Sequence, residues 1–453
     1  MTTASFKPPK TALDVLNKIE FDQALAINDP RYVSTAEARG SQKTLARLAR
    51  KFGLDINTGQ FAPTTSNHVL FFGHIGSGKT TELRHYAKAL SGPGKYLVIE
   101  VDIALQLDLQ NVQYADTLLV MAGALLGAFS KERIEWDAEA FRQLEDWFKA
   151  RVMSVTTAKD LQAEITTGLE AKTAIPFLLS LVAKTTASFK TNATYKDELR
   201  QEIRNNFANF ALYFNRLLRD AEKKLAKHGI AKRILFLVDG TDRLRSDDRR
   251  AFFVSDVEQL LAIESHVLYT APLSLKYEGN LNNKLDANLV LPMIKLYCPE
   301  GVKQALGWEA MRAILLARAD EQLFATSAEM DAIIEASGGH PREMLRILKN
   351  CCEVMDGERI DAEVVLEAIK ILAADYRRFL TPEDFQILVK VDQQPSHHGN
   401  NEATRRLLYN LALLEYNDGS WQRSHPVVRT LEGYRIAQEA NAIPSAQPVT
   451  APK

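Results

Sequence analysis

The sequence predicts an α/β protein: a parallel sheet with a helical insertion, followed by a helical lid and a winged-helix domain. Three observations carry that expectation. An apolar run at residues 68–72 feeds into Gly73-His-Ile-Gly-Ser-Gly-Lys-Thr80 and then into a helix-compatible stretch, 81–90. A second apolar run, 233–238, ends in Asp239-Gly-Thr-Asp242. Near the C-terminus, two cappable helical stretches precede a pair of short strands joined at Asn417-Asp-Gly-Ser420.

The first motif has the strand, loop and helix context that a P-loop NTPase sheet requires. Gly73, Gly76 and Gly78 let the backbone turn its N–H groups inward. Ser77 and Thr81 continue that cradle to the helix start, whose positive end favours phosphate. Lys79 is placed to reach the β- and γ-phosphates, and Thr80 to set its hydroxyl on Mg²⁺.

The 453 residues suffice for two or three cores. A hydrophobic share of 46% with 25% charged residues is ordinary for a globular protein. The formal net charge of −1 leaves no long-range pull toward nucleic acid or an anionic membrane. Cys298, Cys351 and Cys352 form no C-x-x-C pattern and read as core thiols of a reducing compartment. Residues 1–10 lack the apolar run of a secretory signal. The longest apolar runs, 118–129 and 174–183, fall short of the roughly 20 residues of a membrane span. A cytoplasmic protein with no membrane partner is expected.

In chain order, residues 11–29 carry a short amphipathic helix, and 34–39 with 45–52 an N-capped helical pair ending at Gly53. Tyr32 and Arg39 are expected against the adenine, because this segment leads into the P-loop strand. Residues 96–102 form a second buried strand, so strand, helix and strand open a parallel sheet. Residues 112–230 are a helical insertion, with Trp136, Phe141, Leu144, Trp147 and Phe148 on one face and a single long helix carrying Phe207 to Leu217. It serves equally well as a structural element or as a sensing and oligomer surface.

The strand 233–238 places Asp239 at the carboxyl edge of the sheet, where a carboxylate holds the Mg²⁺ shell. Position 240 is Gly rather than an acidic residue that would orient water. Asp242 is the substitute, balanced against a plain helix-cap role. Arg243, Arg245, Arg249 and Arg250, interleaved with acids, read as a solvated face more readily than as an arginine finger. The strand 265–272 carries Thr270 as a γ-phosphate sensor, and 287–297 is a closing strand.

Residues 301–374 are a helical lid. Within it, Ser337-Gly-Gly-His-Pro-Arg342 has loop glycines, then Pro341 at a helix start and Arg342 in the first turn, aimed back at the nucleotide. His340 reads as loop surface. Residues 375–437 form the winged helix, with six basic residues against seven acidic between 381 and 437. Duplex readers need a basic footprint, so a protein-contact or autoinhibitory role is favoured, with Arg405, Arg406 and Arg423 as a small patch. His397 and His398 read as solvated rather than metal-bound, and the tail 438–453 as disordered. The resulting domains are 1–55, 56–300 with its insertion, 301–374 and 375–437.

Gly73 to Thr80, Asp239-Gly-Thr-Asp242, Thr270 and Gly338-Gly-His-Pro-Arg342 together resemble the STAND and AAA+ ATPases, in particular bacterial STAND-like members and initiator-type members ending in a winged helix. The resemblance spans roughly residues 30 to 436. It implies ATP with Mg²⁺ held between sheet and lid, a winged helix packed according to nucleotide state, and homo-oligomers on activation. Lys79, Asp239, Asp242, Thr270 and Arg342 would carry the reaction, with Thr80 and Asp239 on the metal. Bacterial relatives serve in anti-phage defence beside a separate effector, and no effector motif is visible here. Two other readings stand beside this switch: a DNA-binding initiator or transposition-type ATPase, and a nucleotide-binding scaffold with little hydrolysis.

Overall fold

The computed structural model describes residues 6–132, 134–155, 174–278, 281–396 and 400–442. Its centre is a five-stranded parallel sheet built from β1 (Asn67–Gly73), β2 (Tyr96–Asp102), β3 (Arg233–Asp239), β4 (His266–Pro272) and β5 (Asp286–Val290) in the order β2-β3-β4-β1-β5. Both faces are covered, which is why the strands read as unbroken apolar runs rather than as alternating ones. Val69, Phe71, Leu235, Leu237 and Leu268 pack on one face with Leu83, Tyr86 and Leu90 of the helix Lys79–Leu90. Leu70, Phe72, Ile234, Phe236 and Val267 face the helices of the insertion. Each such fully buried Phe or Leu contributes about 1.5–3 kcal/mol.

The insertion is helical over Tyr114–Glu132, Ala138–Ser154, Ala174–Thr191, Ala193–Asn205 and Phe207–Lys227. The expected single long helix is two, broken at Asn206, and Leu212 points to solvent at 57% exposure. A buried ion pair ties the helices together: Arg200 Nε donates to Asp116 Oδ1 at 2.9 Å, and Arg200 also bonds the carbonyl of Asn111. Phe214 meets Phe236 of β3 at 6.5 Å between ring centres, which seats the last helix on the sheet. No helix among the described residues is long and apolar enough to cross a membrane.

Several expectations change. The N-terminal helix covers only Ala12–Lys18, and residues 19–33 run irregularly past the P-loop helix, where Arg84 donates to the Ala24 and Leu25 carbonyls. The closing strand stops at Val290, because Pro292 has no N–H for the ladder. A ladder-like bond from Leu291 N–H to Phe72 O continues it. Cys351 and Cys352 are buried free thiols as expected, whereas Cys298 is half-buried with its Sγ accepting from Val302 N–H.

After the sheet come the lid helices Ala305–Leu316, Ser327–Ala336, Pro341–Val354 and Ala362–Arg377. The C-terminal region is two capped helices, Pro382–Gln393 and Glu402–Tyr409, the antiparallel hairpin of β6 (Leu413–Tyr416) and β7 (Trp421–Ser424), and a last helix, Glu432–Ala442. Asn417 and Asp418 turn the hairpin with φ of 50° and 54°, the left-handed values that Asn and Asp tolerate best. The last helix takes in residues 438–442, which the sequence reading assigned to a disordered tail. His397 and His398 lie outside the described residues.

Candidate nucleotide-binding site

The loop after β1 turns through Gly76 and Gly78, at φ of 85° and 98°. A side chain at Gly76 would stand 2.7 Å from Arg342 Nε, so the lid arginine lies directly on the loop. Lys79, 3% exposed, donates to the Gly73 and His74 carbonyls at 3.0 and 2.9 Å and ion-pairs with Asp242 at 2.7 Å. Thr80 Oγ1 donates to Asp239 Oδ2 at 2.8 Å. The two carboxylates are driven apart. Burial, then the charge of Asp242, pushes Asp239 above the usual range. Burial would raise Asp242 as well, but the Lys79 ammonium outweighs it and holds that carboxyl below the usual range.

Gly240 has a structural explanation. It sits at φ 88°, and a Cβ there would stand 3.1 Å from Ala104 N and 3.2 Å from Ile103 Cγ1. The left-handed backbone and the close approach of Ala104 favour glycine there, and the nearest carboxylate after Asp239 is Asp242. Thr270 maintains this turn: its Oγ1 accepts from Gly240 N–H at 3.1 Å, while Thr241 donates to the Thr270 carbonyl. Its hydroxyl accepts from the β3 loop and keeps its own O–H to donate.

Gly76, Gly78, Lys79, Thr80, Thr81, Asp242, Pro341 and Arg342 line one cleft of about 110 Å³ with Asp22, Leu25, Arg243 and Arg318. A second cleft of about 70 Å³ adjoins it, lined by Tyr32, Arg39, Ser77 and Glu82 as well as Leu25, Arg318 and Pro341. Arg39, expected against a base, is held by one hydroxyl and two carbonyls. It is buried under the loop, donating to Thr35 Oγ1, to Ser77 O at 2.7 Å and to Pro292 O at 2.6 Å. Tyr32 stacks on His85 at 3.6 Å and donates to Glu82. Thr81 Oγ1 accepts from Leu25 N–H, tying the N-terminal segment to the P-loop helix.

His340 is completely buried, contrary to the loop-surface reading. Its Nδ1 caps the helix Pro341–Val354 by accepting from Glu343 N–H, so the ring proton sits on Nε2, which donates to Ile75 O of the P-loop at 3.0 Å. On the loop's other side His74 Nε2 accepts from Glu415 N–H of β6 at 2.8 Å. His425 stacks on Tyr376, whose hydroxyl donates to the buried Glu343. Burial keeps all three rings neutral, bringing His74 down to about 3, His425 to about 4 and His340 well below its ordinary value.

The donor set fits a triphosphate and a hard cation. Ser77 Oγ is buried with no partner among the described residues, and Thr80 with Asp239 offers oxygens only. Asp22, Leu25 and Arg318 escaped the sequence reading because they lie in no motif. His74 escaped because it occupies an unspecified position of one.

The core is a P-loop nucleoside-triphosphate fold. No family model matches the chain, and no curated protein matches it. Among solved structures, it is similar to a Walker-type ATPase of Pyrococcus abyssi (10% identity, 92% of this chain and 99% of that one, TM-score 0.41). It is also similar to Cdc6p of Pyrobaculum aerophilum (11%, 95% and 84%, 0.37). A RuvB variant of Thermotoga maritima follows (13%, 87% and 95%, 0.34). The strand order and the loop geometry identify the fold.

Proposed function

We propose that this chain is an ATP-dependent molecular switch of AAA+ or STAND type that binds MgATP between sheet and lid and hydrolyses it slowly. The observation that carries the reading is the convergence of Lys79, Thr80, Asp242 and Arg342, from three distant segments, on one cleft. The loop amides and Lys79 would hold the phosphates, and Thr80 with Asp239 the Mg²⁺, whose charge would offset that developing on the phosphoryl oxygens. Asp242, kept ionised, is the group to orient water once Lys79 turns to a phosphate.

The two clefts together are smaller than an ordinary ligand site. Arg342 and Asp22, 3.1 Å apart, bridge lid and N-terminal segment over them. Nucleotide entry must therefore move the lid, and His340 and His74 pass that movement to the C-terminal region. This supports a nucleotide-dependent switch, for which homo-oligomers and a protein partner are part of the proposal. Turnover by purified protein, with sizing in ATP and in ADP, tests it. Undiminished turnover in Lys79→Ala overturns it, and tight ATP binding without turnover selects the scaffold reading.

A second reading rests on a separate cleft of about 550 Å³ lined by Arg249, Arg250, Arg405 and Arg406, from the core and the C-terminal region. It favours duplex engagement by a DNA-associated ATPase. Against it, Arg249 is buried and pairs with Glu278, Arg406 pairs with Asp384, and Arg423 lies elsewhere, donating to Pro299 O. Salt-sensitive duplex binding that weakens in Arg250→Ala/Arg405→Ala supports this reading, and no binding at low salt removes it.

A further inference from the structure

A cavity of about 330 Å³ lies between the lid and the C-terminal hairpin, away from the P-loop. Its walls include Leu296 and Pro426, the aromatic residues Tyr297, Tyr416 and Trp421, and the arginines Arg423 and Arg429. Trp421 is 3% exposed and stacks on Tyr416 with ring centres 4.0 Å apart, so the indole is fixed. Its Nε1–H has no acceptor among the described residues. The same is true of Arg429 Nε, and no carboxylate among the described residues pairs with that guanidinium. The acidic wall residue, Glu335, already accepts from the Tyr297 hydroxyl.

Arg429 is half-exposed, so its guanidinium is open to a ligand in the cavity. A cavity that sets a half-exposed guanidinium, with no carboxylate partner among the described residues, beside apolar and aromatic walls suits an anionic ligand with a flat apolar body. We propose that this cavity is a binding site for a small organic anion, a carboxylate or phosphate ester, with its anionic group on Arg429 and its body against Leu296, Pro426 and the aromatic wall that includes Trp421.

The site bears on the nucleotide cleft through one short stretch. Gly338 lines the cavity and its carbonyl accepts from the Tyr416 hydroxyl at 2.7 Å. Pro341 and Arg342, three and four residues on, line the nucleotide cleft. Gly338 has no slack, since a Cβ there would stand 2.8 Å from Leu414 and 2.9 Å from Pro426. An anion in the cavity and a nucleotide at the P-loop therefore act on opposite ends of the same five residues. This coupling, unlike the site itself, rests on the nucleotide-switch reading.

Phenyl phosphate and benzoate, with benzyl alcohol as the neutral control, are the probes, read by tryptophan fluorescence and thermal shift. Either anion should give a saturable change that benzyl alcohol lacks. Arg429→Gln should weaken it about tenfold or more, the size of one charge-assisted hydrogen bond, and Arg429→Lys should restore part of it. Trp421→Phe should abolish the fluorescence change with thermal stability retained. The Lys79→Ala variant separates this cavity from the P-loop: anion binding should survive there. Binding lost in Lys79→Ala and kept in Arg429→Gln would overturn the site, as would no saturable response to either anion at millimolar concentration. Coupling is read separately as a change in nucleotide affinity at saturating anion, matched by an equal reciprocal change. An unaltered nucleotide affinity would remove the coupling.

Discussion

The two sides of the P-loop are built from opposite materials. On the sheet side, Lys79, Asp242, Thr80 and Asp239 form a charged cluster beside a cleft. On the other side, His74 and His340 hold the loop's backbone with neutral rings that reach the hairpin and the lid. In the proposed switch the charged side would trade partners when a phosphate arrives, because ammonium and carboxylate would each find a substitute in a nucleotide and its metal. The neutral side has no such substitute, so its contacts would persist through the exchange and carry a lid movement on to the hairpin.

Acid should separate the two most strongly. His74 and His425 bind no proton in the folded state until about pH 3 and 4, and His68 and His266 until about 4. The unfolded chain begins to bind at the ordinary value near 6.5. Stability is therefore complete above pH 6.5 and is lost as pH falls, by about 1.4 kcal/mol per pH unit for each buried histidine. Chemical denaturation between pH 7 and 4.5 should show several protons taken up on unfolding, and a flat profile would break the neutral-side account.

Next in size is Lys79→Ala, which abandons a buried carboxylate and should cost about 3–5 kcal/mol in denaturation midpoints as well as nucleotide binding. Adding Asp242→Asn should recover most of the stability and none of the binding. His340→Ala removes a helix cap and the bond to Ile75, for about 2 kcal/mol. His340→Asn should restore only the cap. Gly240→Ala, forced into a left-handed conformation against Ala104, should lose about 1–2 kcal/mol. The smallest effect belongs to Asp22→Asn, which loosens an exposed ion pair and should speed nucleotide association at most about fivefold in stopped-flow.

The sheet was legible because both of its faces are buried, which turns each strand into an apolar run that a single chain displays. Lys79, Thr80 and Asp239 were legible because their spacing and their strand contexts are local. Arg39, His340 and Thr270 were singled out by position, yet what each one touches was not readable. Their partners, Ser77 O, Ile75 O and Gly240 N–H, are backbone groups that leave no trace in residue type. The clustering of five arginines into a buried Arg249, a lid-facing Arg423 and a shared cleft likewise depended on how two distant segments pack. The break at Pro292 was visible in sequence, and the closing strand was drawn through it because its flanks are apolar.

The hydrogen bond from Glu415 to His74 joins residues 341 positions apart. During synthesis the P-loop strand emerges long before its hairpin, so the nucleotide site is among the first parts made and among the last completed. Loop closure over such a separation is slow compared with forming the local helices. A nascent chain ending before the hairpin would therefore carry Lys79, Thr80, Asp242 and Arg342 while lacking the contact that holds one side of the P-loop.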